Sequence, residues 1–328
     1  AYFTLTAFHN LGHFEEMEGF LKFLADIALQ QEVTRDLLSP LYSISRGVPL
    51  PENTHTNWAG YQKSLPVRSN NQAAEHIQND VYGEMILALA PIFLDERFQY
   101  MRNDYHQGLL EHLAVLAARN IGQKDAGLWE LRNVIQEHTF TNLMIWAGLE
   151  RVGQIQKLGY LSNLKLNIDS ETHRAEQAVR KAIKEGILRS TTEGISLDSA
   201  LSHVTLLRFP DRELELATLN QIRLKLTLPN GNGSFFYRYL QEDDFGKPQS
   251  AFVACSFWIA QALARMGSVA EAKAIVENSL QASNSLGLFA EHFDPVSKMQ
   301  LGNFPQAYSH VGLINAAFAV SPRWSEVL

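Results

Sequence analysis

Apolar residues recur at helical spacing from one end of this chain to the other, and almost no run alternates as a half-buried strand does. That periodicity restricts the fold to the all-α class. It predicts helices over 2–11, 14–31, 73–95, 99–120, 138–158, 171–188, 197–207, 211–225, 251–266, 269–285 and 305–320. Gly12, Gly159, Pro210, Gly267 and Asn284 punctuate them, because a left-handed residue or a missing N–H stops a helix. Asp211 and Ser268 stand directly before periodic segments and are predicted to cap them by accepting from first-turn amides. No repeat occurs at the spacing of a tetratricopeptide or armadillo array. The stripe Phe8, Leu11, Phe20, Leu21, Phe23 and Leu24 reads as packing between the first two helices.

With 328 residues and 46% hydrophobic content the chain can bury a large core. It contains neither an apolar run of about eighteen residues nor a secretory apolar segment, so a soluble, cytoplasmic protein without a membrane partner is expected. A formal charge of −7 argues against nucleic-acid binding, since little would displace the counterions of a phosphate backbone. The lone Cys255 excludes an intramolecular disulfide, and its apolar flanks predict a buried structural thiol. Linker composition is absent, which predicts a single domain over 1–328.

Three long connections, 33–71, 121–137 and 226–250, interrupt the helical pattern and carry aromatics, Arg and Gly of the kind that line a polar pocket. Two carboxyls from separate segments can share acid–base work on one bond, one protonating a leaving oxygen and the other driving water. Glu130 follows Trp129, whose ring could desolvate it and favour the protonated acid. Glu291 has polar neighbours in His292 and Asp294, an environment expected to keep a carboxylate ionised as a base. No HExxH or G-x-S-x-G occurs, and His9 with His13 lacks a completing ligand, so neither a metal site nor a serine hydrolase is expected.

The segment Gly287-Leu-Phe-Ala-Glu291-His-Phe-Asp294-Pro, then Leu301-Gly-Asn303-Phe-Pro-Gln306-Ala-Tyr308-Ser-His310 and Ile314-Asn-Ala-Ala317, resembles the C-terminal part of the glucoamylase family, family 15 of the glycoside hydrolases. Gly127-Leu-Trp129-Glu130 is similar to the family's acid loop. Tyr61 with Ser64, Pro66-Val-Arg68, Asp80-Val-Tyr82-Gly-Glu84 and the pair Arg238-Tyr239 extend the likeness over the chain. The resemblance implies an (α/α)6 barrel, with Glu130 as proton donor and Glu291 as catalytic base. It implies inversion, with the carboxyls about 6.5–9.5 Å apart around a water. Trp129, Arg238, Tyr239 and Arg68 would hold the sugar, with no metal or other cofactor. Arg238 has a rival reading as an ion-pair partner of Asp243 or Asp244, and Trp129 as a lid over apolar residues.

Departures carry information too. Ala1-Tyr-Phe-Thr-Leu-Thr-Ala-Phe resembles the helix that in the family follows a Trp-x-Arg-Asp sequence gripping the terminal glucose. The first barrel helix is therefore expected to be missing, with an upstream segment, a second fragment or another protomer filling the groove left behind. Asn142 stands where relatives usually have Lys, and Asn70-Asn71 where Gly-Asn is common; both are expected to alter substrate contacts while leaving acid and base untouched. The function expected is that of an exo-acting, inverting hydrolase releasing glucose from the non-reducing end of α-glucans or related α-glucosides such as trehalose or dextran. The rival is a non-catalytic carbohydrate-binding or regulatory module of glucoamylase type.

Overall fold

The stretches Thr139–Leu149 and Val253–Ala260 are buried on every side, so each must be a central helix with neighbours all round it. A computed structural model describes every residue except 33–37, 132–133, 244–245, 323–325 and 327–328, and only the backbone at 28–32. Its backbone contacts form two units, Ala1–Glu52 with Asn70–Ile183 and Thr191–Gly194, and Asn53–Ser69 with Lys184–Ser190 and Ile195–Leu328.

The first unit holds α1 (Tyr2–Leu11), α2 (Phe14–Glu32), α3 (Asp80–Leu89), the single turn α4 (Pro91–Leu94), α5 (Asp104–Arg119), α6 (Thr139–Lys157) and α7 (Ile168–Arg180). Helix α3 lies backbone to backbone on α6: a Cβ at Gly83 would fall 2.2 Å from the Met144 carbonyl oxygen, and one at Gly148 3.1 Å from the Gly83 Cα. Only hydrogen fits at that crossing, which is why the two helices approach so closely. Gly12 closes α1 in the left-handed conformation, φ 76°, as its position predicts.

The second unit contains two short strands, β1 (Asn53–Thr54) and β2 (Arg68–Ser69), paired antiparallel. After α7 comes the hairpin of β3 (Ile183–Lys184) and β4 (Ile187–Leu188), turned by Glu185 and Gly186 at positive φ. Then follow α8 (His203–Leu206), α9 (Arg212–Leu226), β5 (Ala251–Phe252), α10 (Val253–Arg265), α11 (Val269–Ser279), β6 (His292–Asp294), β7 (Met299–Leu301) and α12 (Ala307–Val320). β5, β6 and β7 make one antiparallel sheet in that order. Cys255 is wholly buried on α10, and burial pushes its thiol well above its ordinary range, as expected of an inert structural residue.

The helical class predicted from periodicity is the class observed, with differences at helix ends. The predicted helix 73–95 is a 3-10 turn, a break and then α3 and α4. The predicted 171–188 ends at Arg180, where left-handed Glu185 and Gly186 turn the chain back into β3–β4. Asp211 caps α9 by accepting from the Leu214 N–H at 3.0 Å, whereas the Ser268 side chain makes no capping bond at α11. The Ser268 backbone N–H instead donates to the Leu263 carbonyl at 2.9 Å, closing the end of α10. Among the described residues, no helix is long and apolar enough to cross a membrane.

Candidate active site

Glu130 ends a tight turn in the first unit. Asp125 exchanges backbone hydrogen bonds with Gln136 at 2.9 and 3.0 Å, Ala126 donates to the Ile77 carbonyl, and Glu130 closes the turn by donating to the Gly127 carbonyl at 3.2 Å. Gly127 and Glu130 both take positive φ, 67° and 57°. A side chain at 127 is excluded twice over, since its Cβ would also sit 2.8 Å from the His138 imidazole. Glutamate at positive φ is strained, and such strain is held only where surrounding bonds over-determine it. One of them comes from Asn71, whose Oδ1 accepts from the Ala73 N–H at 2.9 Å, directing Nδ2 to donate to Glu130 Oε2 at 3.0 Å. Glu130 and Trp129 are both half-buried.

Beneath this turn lie groups that resist charging. Asp125 is buried, its Oδ2 accepting from the Asn79 N–H at 2.8 Å and the Thr141 hydroxyl at 2.9 Å, and burial pushes its pKa up to about 6. Asp80 is driven well above the carboxylate range, first by burial and then by the charges of Glu84 and Asp125. Burial holds His138 down to about 4, so it is neutral at pH 7, and its Nε2 has no hydrogen-bond partner among the described residues.

Glu291 lies in the second unit, at the entrance to β6. Its N–H donates to the Asn303 carbonyl at 2.9 Å and its carbonyl accepts from the Val253 N–H at 3.0 Å, lacing it between the returning chain and the start of α10. Its Oε2 accepts from the Asn303 backbone N–H at 3.3 Å and from Asn303 Nδ2 at 3.1 Å. Gly302 takes φ 77°, which favours glycine, and a Cβ there would fall 2.8 Å from Oε2, so the carboxylate would have to shift. The Gly302 N–H donates to Ser64 Oγ at 2.8 Å, Tyr61 stacks on Phe304 with centroids 4.2 Å apart, and the Tyr61 hydroxyl donates to Gln300 Oε1 at 3.2 Å. Asp294 turns away to accept from Val296 N–H and Ser297 Oγ, bonds that hold its carboxyl below the usual range. Burial holds His292 low, while the nearby Glu291 charge acts the other way.

Arg238 and Tyr239 lie together in the same unit. The Arg238 guanidinium pairs with Asp243 and stands 4.7 Å above the Tyr239 ring, whose hydroxyl donates to Asp243 Oδ2 at 2.9 Å. Tyr239 is buried, and burial raises its phenol pKa beyond any working pH. Asp243 is thus an ion-pair partner of Arg238; Asp244, the other one considered, lies outside the described residues. Arg68 is half-buried on β2, opposite Thr54. Asn142 is buried, its Oδ1 accepting from the Gly122 N–H at 2.9 Å and its Nδ2 donating to Glu137 at 3.2 Å, a loop brace within its unit.

Asn71, Asn303 and Asp125 lie around the two carboxyls although no local sequence pattern marks them. Asn71 stood out only as a departure expected to leave the acid untouched, yet it bonds Glu130 directly. Asn303 sat unremarked inside the quoted motif.

The profile described as "Glycosyl hydrolases family 15" matches residues 1–318. The chain is similar to a trehalase of Mycolicibacterium smegmatis, 28% identical over 323 residues that cover 97% of this chain and 48% of the relative. It is equally similar to trehalase 1 of Sulfolobus acidocaldarius, 28% identical over 315 residues covering 93% and 52%. The chain therefore spans about half the length of the curated relatives it matches. Among solved structures, a wild-type glycosidase superposes with a TM-score of 0.72 at 17% identity, over 97% of this chain and 86% of that one. A bacterial glucoamylase complexed with acarbose does so with 0.66 at 13%, over 97% and 48%. At these identities the likeness shows the fold alone, and it agrees with the all-α, (α/α)6 class expected from the sequence.

Proposed function

The chain belongs to glycosyl hydrolase family 15, and from that premise we propose that it hydrolyses an α-glucoside with inversion, using Glu130 as general acid and Glu291 as general base. In the reaction a water oxygen bonds to the anomeric carbon as the glycosidic C–O bond breaks. Glu130 gives its proton to the departing oxygen, and Glu291 takes one from the water. The observation that carries this assignment is that both carboxyls sit on constrained turns and each has one oxygen held by an asparagine amide. Such fixation supplies the orientation on which acid–base catalysis depends. Trp129, with its face for a sugar ring, and Arg238, Tyr239 and Arg68 are proposed to bind substrate, Arg238 with its orientation set by Asp243.

The substrate we favour is α,α-trehalose, because the similar curated proteins are trehalases; starch-like glucans and dextran are its rivals. Proton NMR of the first products decides both questions. Inversion on trehalose yields one α- and one β-glucose per bond cleaved, whereas retention yields only α-glucose. Equal initial α and β signals from trehalose, with little release from maltose or isomaltose, are the expected result. Release of α-glucose alone would overturn the inverting assignment. Binding of acarbose with no hydrolysis of any of these sugars would turn the reading to a non-catalytic module.

A further inference from the structure

We infer that Asn303 is a positioning residue for the base: it clamps Glu291 Oε2 from the backbone and the side chain at once, so that Oε1 is the oxygen that receives the proton of the attacking water. This deepens the reading of Glu291 as base and depends on it. Among the described residues, both side-chain hydrogen bonds of Glu291 fall on Oε2, at 3.1 Å from Asn303 Nδ2 and 3.3 Å from the Asn303 N–H. The Gly302 backbone runs beside that oxygen, where a Cβ would fall 2.8 Å from it. With both donors on Oε2, Oε1 is the oxygen left for the attacking water, since a carboxylate has two oxygens to work with.

The clamp is braced from outside its own turn. The Glu291 N–H donates to the Asn303 carbonyl at 2.9 Å, so the two residues are locked in both directions. Ser64 Oγ accepts from the Gly302 N–H, and Tyr61 stacks on Phe304, which follows Asn303. The 61–64 turn thus holds the strap that carries the clamp. Hydrogen-bond donors to a carboxylate favour its ionised form, so a pH profile reads their removal. The other charged groups about this turn are His292 and Asp294 on β6, and Arg238 with Asp243, whose charges reach His292. None of them changes when Asn303 is replaced.

The test compares Asn303→Ala and Asn303→Asp in the whole protein by the pH profile of kcat/KM on trehalose. Loss of the amide donor is expected to move the acidic limb up by about one pH unit in Asn303→Ala, with roughly tenfold less activity below the optimum. The alkaline limb, which reports the acid, should stay in place. Asn303→Asp keeps the shape and adds a like charge, so its shift is larger in the same direction; it is also the arm that remains if Asn303→Ala does not fold. A parallel arm assays Glu291→Ala with and without azide, a small anion that attacks the anomeric carbon without needing a base. Rescue giving the β-glucosyl azide, together with the limb shift, supports the inference. Rescue of Glu291→Ala with unmoved acidic limbs in both Asn303 variants overturns the role of Asn303 alone. Full activity of Glu291→Ala without azide overturns the base itself, and Asn303 falls with it.

Discussion

Glu130 stands on a left-handed residue closing a turn, while Glu291 enters a strand and is laced to the chain returning opposite it. The turn under Glu130 rests on buried Asp80, Asp125 and neutral His138, three groups whose surroundings disfavour charge. Glu291 meets backbone and side-chain donors from one asparagine. The roles proposed for them differ too, one carboxyl giving a proton to the leaving oxygen and the other taking one from water. In both places an asparagine amide holds one carboxyl oxygen, Asn71 from 59 residues away in sequence and Asn303 from 12.

The sharpest way to break the comparison is to neutralise each carboxyl and vary the leaving group. Glu130→Gln should lose roughly 10²–10⁴-fold on trehalose, and far less on α-glucosyl fluoride, because fluoride departs without a proton. Glu291→Gln should lose a similar factor on both, since water still needs its base. Steady-state assays giving the same leaving-group dependence for the two variants would contradict the assigned roles.

A smaller effect separates conformation from position. Gly12 and Gly302 have nearly the same φ, 76° and 77°, but open space surrounds a Cβ at 12 while one at 302 meets Glu291. Alanine at either site should cost about 1–3 kcal/mol of stability from backbone strain, read by denaturant melts. Only Gly302→Ala should also lose on the order of 10²-fold in kcat, through displacement of the carboxylate. Equal kinetic losses from both variants would show that Gly302 acts through stability alone.

The mildest effect concerns the floor of the Glu130 turn. Asp125 has its folded pKa raised from 3.8 to about 6, so the native state holds more protons than the unfolded one between those values. Its contribution to stability is therefore present at low pH and is lost as pH rises through that window. Asp125→Asn removes this loss. Relative to the parent, the variant should gain up to roughly 3 kcal/mol in going from pH 3.5 to pH 7, with buried histidines cancelling in the difference. Thermal melts at the two pH values measure it, and a difference independent of pH would refute the raised carboxyl.

Helices were legible in the sequence because a buried face repeats every few residues, and α1, α6 and α12 lie within two residues of their predicted bounds. β6 and β7 were not, since three-residue strands are too short to alternate visibly and are held by partners elsewhere in the chain. The family was legible through the ordered motifs around Glu130 and Glu291. Asn71 was not, because it meets Glu130 across 59 residues of sequence, a separation no local pattern encodes.

The sequence by itself determined the helical class and the family, because periodic burial and contiguous motifs are written residue by residue. The tertiary structure alone decided which oxygen of each carboxyl an asparagine holds, and that Arg238 is paired with Asp243. It also set Gly302 directly against the Glu291 carboxylate. Hydrogen bonds and steric exclusions of this kind depend on distances of a few ångströms between residues brought together by folding. Only packing of the whole chain sets those distances.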